Sequence, residues 1–159
     1  MSDCIIAQIT ANRKAALQAI TTVGEAYTFT PAVVEEQRLV QNINGRYPYV
    51  LLVQEDATIE EESNYSEHVI QKYTVVCINE YNDDDPDDDE IVKEFRNVNA
   101  DIIKAWMVDK TCGGLAEYTR TLGYNSEVNI DTKGINTFVS WVVFEVEALI
   151  DSTNPYLKG

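Results

Sequence analysis

The stretch over residues 68–81 carries apolar side chains at both strand parities. Val69, Tyr73, Val75 and Cys77 share one face, and Ile70, Val76 and Ile78 share the other. A strand of that kind needs at least partial cover on both sides, which makes it a central strand and obliges the chain to build a sheet around it. Two neighbours are legible at once. Tyr49-Val50-Leu51-Leu52-Val53 follows the Asn44-Gly45 turn signal, and residues 137–150 alternate Phe138, Val142, Phe144 and Val146 with Val139, Trp141 and Val143. Glu145 and Glu147 fall at the second parity, so that face of the last strand emerges into water. Residues 118–122 lead through Gly123 to 128–130 as a further strand, and 27–30 (Tyr-Thr-Phe-Thr) as a short one before Pro31.

Two helices accompany these strands. Ile91, Phe95, Val98, Ile102 and Trp106 recur at spacings of four and three and lie on one face. The aspartates before them suit the positive end of a helix dipole, and Cys112-Gly113-Gly114 stops the element. From residue 3 to about 22, Ile6, Ile9, Ala16, Leu17 and Ile20 form a stripe, with Ser2 or Asp3 as N-cap and Asn12, Arg13 and Lys14 grouped away from it. The polar, acidic stretch 54–64 reads as a loop, 35–44 is ambiguous, and 151–159 reads as a turn followed by a C-terminal arm. The expectation is one α+β domain over 1–159. Its order is α-β-β-β-α-β-β, with two helices packed on one side of a mainly antiparallel sheet.

Charge restricts what such a domain can touch. Twelve Lys and Arg stand against 27 Asp and Glu, a net charge of −15. Phosphate neutralisation needs clustered cations, so this balance argues against a nucleic-acid-binding surface and against anionic membranes. No apolar stretch approaches the ~20 residues of a membrane-spanning helix. The N-terminal residues lack the basic and apolar regions of a signal peptide. Three cysteines, Cys4, Cys77 and Cys112, have no metal-type spacing and read as reduced thiols. A soluble intracellular protein is expected.

No constellation for catalysis emerges. His68 is the only histidine, which leaves neither a nucleophile–base pair nor a catalytic zinc site well supplied. Cys77 reads as a small core hydrophobe, and Cys112 has no flanking base to activate it. Gly113-Gly114 matches no phosphate-binding loop. The run Asp83, Asp84, Asp85, Pro86, Asp87, Asp88, Asp89, Glu90 holds seven acids in eight residues, yet Pro86 and the absence of glycine do not fit a calcium loop. It reads as a solvated loop that helps to start the second helix. No cofactor and no metal are expected, and no enzyme. Val139, Trp141 and Val143 form a strand face suited to a subunit interface, with cover by a helix of the same chain as the alternative.

The N-terminal helix, Tyr49 to Val53, the long strand running into the acidic run, the helix from Ile91 to Trp106, and Thr137-Phe138-Val139-Ser140-Trp141-Val142-Val143-Phe144-Glu145-Val146-Glu147 leading into Asn154-Pro155-Tyr156 together resemble the tail terminators of long-tailed bacteriophages. The resemblance implies a hexameric ring that caps the tail tube, ends its polymerisation and joins it to head and neck connector proteins. DNA would pass through the lumen unbound, with the acids of 83–90 lining the wall. The protein would reside in the host cytoplasm during assembly and then at the tail–head junction of the virion. A head-completion or neck adaptor subunit and an acidic DNA-mimic inhibitor are the competing expectations.

Overall fold

The computed structural model describes residues 3–36, 45–63, 65–81, 89–130 and 136–159. Its elements are α1 (Ile5–Gln18), a short 3-10 turn (Val23–Glu25), β1 (Val33–Glu36), β2 (Tyr49–Ser63), β3 (Ser66–Tyr81), α2 (Asp89–Met107), β4 (Tyr118–Ile130), β5 (Asn136–Asp151) and β6 (Asn154–Lys158). The sheet order is β1-β2-β3-β5-β4, with β6 paired to the end of β5. All pairings are antiparallel except β1 with β2. The α+β class and the mainly antiparallel sheet expected from the sequence are present, with β3 central as its two apolar faces require.

Strict alternation on β5 sorts the sheet into two faces. Phe138, Val142, Phe144, Val146, Ala148 and Ile150 are buried and share one core with Ile5, Ile9 and Leu17 of α1 and Ile91, Val98, Ile102 and Trp106 of α2. Both helices therefore cover the same side. Trp106 joins the layers: its ring stacks on Phe144 at 4.3 Å between centroids and meets Tyr73 at 5.5 Å. The indole N–H donates to Thr119 Oγ1 at 2.9 Å, and that hydroxyl donates to the Glu145 carbonyl at 3.0 Å.

Five expectations need correction, and with β6 the order is α-β-β-β-α-β-β-β rather than α-β-β-β-α-β-β. Residues 27–30 form no strand, because α2 captures them: the Thr28 N–H and hydroxyl both donate to Asp101 at 2.6 Å, and Lys104 Nζ lies 4.6 Å from the Tyr27 ring centre. The first strand is instead Val33–Glu36. Residues 54–63 are not a loop but the continuation of β2. Pairings such as Ile59 with Val69 and Glu60 with His68 hold this acidic segment in the sheet, past a bulge between Gln54 and Ala57. The C-terminal segment is not a free arm, since β6 pairs with β5, the Gly159 N–H donates to the Leu149 carbonyl at 3.0 Å, and Lys158 meets Glu117 at 3.2 Å.

Arg13 is the fourth. Rather than lying away from the core stripe of α1, it is 2% exposed. Its guanidinium lies over Trp106, 5.6 Å from the ring centre, and donates to the Trp106 carbonyl in the last turn of α2. A cation there meets the negative end of the helix dipole and satisfies a carbonyl that the helix itself leaves unpaired. The N-cap of α1 is Cys4, not Ser2 or Asp3, and makes no side-chain capping bond.

Trp106→Ala should cost about 3–5 kcal/mol of unfolding free energy in urea titration, because it empties the junction of five elements. Val23→Ala, at a side chain 81% exposed, should change stability by less than about 0.5 kcal/mol.

Candidate functional site: the sheet face opposite the helices

Val139, Trp141 and Val143 point to the side of β5 opposite both helices. Register aligns them with neighbours into three cross-strand rows: Tyr49–Ile78–Val139–Glu127, Leu51–Val76–Trp141–Asn125, and Val53–Thr74–Val143–Gly123. The result is an apolar band running across β2, β3 and β5. Tyr49 and Leu51 at its β2 end are buried, with Arg46 over the Tyr49 ring and Glu35 accepting from the Tyr49 hydroxyl. Val76, Val139, Trp141 and Val143 are half-buried. Among the described residues no helix packs against this band.

Charge begins one row further along. Lys72, Glu145 and Arg120 stand opposite one another, and Arg120 donates to Glu145 Oε1 through Nε at 2.9 Å and Nη2 at 2.6 Å. That contact holds the Arg120 guanidinium above its ordinary basicity. Beyond it lies His68, whose Nε2 is 3.5 Å from Glu147 and whose Nδ1 is 4.0 Å from Glu60. The face is therefore divided into an apolar half and an ion-paired half.

The thiols sit elsewhere. Cys77 lies on the core side of β3, where burial pushes it up to about 12, and Cys112 lies under α1, pushed up to about 11 chiefly by burial. Desolvation favours the neutral thiol, so neither is set up as a nucleophile. Asp109 is held below the ordinary carboxylate range because Thr111 and Gly113 donate to it. These bonds tie the 109–113 turn. Among the described residues no group of three His, Cys, Asp or Glu side chains has metal-binding geometry.

Sequence periodicity placed Val139, Trp141 and Val143 on one face. It did not find Tyr49, Leu51 and Val76, which join them only through strand register. Of the acidic run, Asp83, Asp84, Asp85, Asp87 and Asp88 lie outside the described residues; Asp89 and Glu90 open α2. No helix of the described chain is long and apolar enough to cross a membrane.

Thiol labelling of the native protein at pH 8 should modify Cys4, which is half-buried, and leave Cys77 and Cys112 unreacted until denaturant is added. The raised thiol values are a source of stability present below about pH 9 and lost as pH climbs from 9 toward 11 and 12, since the unfolded chain ionises first. Unfolding midpoints measured across that range should fall with pH. No protein-family model and no curated protein matches this chain.

Proposed function

We propose that this protein is a non-enzymatic ring subunit of the tail-terminator kind, which caps a phage tail tube and presents a joining surface to head and neck connectors. The observation that carries the reading is the apolar band around Trp141 on a sheet face that no described helix covers. A half-buried Trp flanked by Val139 and Val143, with an ion-paired border, has the anatomy of a subunit contact: aromatic and aliphatic at the centre, charged at the rim. Its central position on β5 gives it a rigid backing, because β5 is paired along both edges.

Net charge supplies the control. Six copies at −15 each carry −90 formal charges, so a closed ring forms against its own repulsion until salt or a template offsets it. A lumen lined with acids would keep DNA from adhering while it passes.

Light scattering after size exclusion, over a series of NaCl and Mg²⁺ concentrations, tests this. Mass should rise from 17.9 kDa toward about 107 kDa, six copies, as screening increases. Trp141→Glu should hold the protein at monomer mass with an unchanged circular dichroism spectrum. Ring formation independent of ionic strength would contradict the electrostatic part. Addition of the protein to purified uncapped tubes should yield capped ends, and capture by portal-side rings instead would make it an adaptor.

A further inference from the structure

β4 is an edge of the sheet, hydrogen-bonded on one side to β5 and on the other to no described strand. Its 13 residues contain no proline, and its only charges are Arg120 and Glu127, so it is neutral in a chain of −15. Tyr124 on it is 64% exposed and Leu122 is 44% exposed. Long uncharged edges are templates for strand addition, and proteins usually blunt them.

The pattern of β4 is its own complement. A bulge falls between Thr121 and Gly123, which makes Leu122 the extra residue. With Leu122 counted out, Arg120 lies three positions before Tyr124 and Glu127 three positions after it. Arg120 is opposite Glu145 and Glu127 opposite Val139, so both point to the face opposite the helices. Thr121, Tyr124 and Ser126, opposite Phe144, Val142 and Ser140, point to the helix side. Two copies of β4 laid antiparallel about a two-fold axis at Tyr124 therefore match at every one of these positions. Arg120 meets Glu127 of the second copy twice, Thr121 meets Ser126 twice, and the two Tyr124 rings meet at the axis. In each pairing both side chains emerge on the same face, as antiparallel register requires.

We propose that a second copy of this chain adds to β4 in this register, forming a two-fold dimer with one sheet continuous through both subunits. The charge pairing selects the partner. Arg120, side chain about half exposed, already holds Glu145 and has a further N–H edge for a second carboxylate, while Glu127 is exposed and its carboxylate suits that place. A strand from an unrelated protein would have to reproduce both the acid and the base at that separation. The backbone contact uses the edge of the sheet and none of the apolar residues of the Trp141 band; Arg120 belongs both to it and to the charged border of that band, so the two assemblies are told apart by their mass.

Cysteine scanning in a Cys4→Ser chain tests it, because only a residue on the axis can bond to its own copy. Under mild oxidation at about 0.15 M salt, where charges are screened beyond ~8 Å, Tyr124→Cys should give a disulfide-linked species near 36 kDa, twice 17.9 kDa. Glu127→Cys, facing Arg120 and far from its own copy, should form it at least tenfold more slowly. In sedimentation equilibrium without cysteine changes, Glu127→Arg should raise the dimer dissociation constant at least tenfold by placing Arg against Arg120 at both ends. Positions 124 and 127 are both exposed, and circular dichroism checks the fold of each variant. Equal cross-linking at 124 and 127, a dimer unaffected by Glu127→Arg, or monomer mass at every concentration would each overturn the proposal. A six-copy species that retains its mass in Glu127→Arg while the dimer is absent from the parent chain would also overturn it, and would leave the ring standing.

Discussion

The contact between Trp106 and its surroundings determines how the layers of this protein meet. Phe144 and Tyr73 provide two walls from the sheet, Thr119 accepts the indole hydrogen bond from β4, and the Arg13 guanidinium closes the site from α1. The same guanidinium donates to the Trp106 carbonyl, so the first helix is locked to the end of the second through one residue. Buried charge is expensive unless it is hydrogen-bonded. Here the carbonyl at the negative end of α2, the Asn12 side chain and the indole face compensate it. Because both helices converge on Trp106, both lie on one side, and no described helix packs on the Trp141 side of the sheet.

That asymmetry explains which parts of the fold the sequence makes legible. The stripe from Ile91 to Trp106 and the alternation on β5 are signals of burial on one face, and each produces the element expected. Residues 54–63 carry Glu55, Asp56, Glu60, Glu61 and Glu62, a composition that reads as loop. Their strand character comes from pairing with β3, which local propensity does not register. Residues 27–30 have the opposite history: good strand formers drawn away by Asp101 and Lys104, side chains more than 70 positions later in the chain. Charge alone argues for solvent at Arg13, yet it is buried. Only the tertiary position of Trp106 gives that charge a buried partner.

The candidate site was half legible for the same reason. Period-two alternation is enough to group Val139, Trp141 and Val143, but the width of the band depends on register between strands far apart in sequence. Tyr49, Leu51 and Val76 enter it through pairing, as Ile78 and Val139 do with Tyr49. Arg120 and Glu127 are unremarked in the sequence. Their relation becomes visible once the bulge at Leu122 is located, because a single extra residue changes which side chains share a face.

Two kinds of surface thus coexist on a strongly acidic chain: an apolar band backed by a central strand, and a neutral edge. Both of the proposed contacts would form against the repulsion between chains of net charge −15. The most direct test of the central claim is hydroxyl-radical footprinting of the two tryptophans as assembly is driven by salt or Mg²⁺. Trp106, fully buried, serves as the internal reference. The account predicts that oxidation of Trp141 falls as the large species forms, while Trp106 stays unreactive throughout. Assembly with Trp141 oxidised at its monomer rate would contradict the proposal that the Trp141 face is the subunit contact.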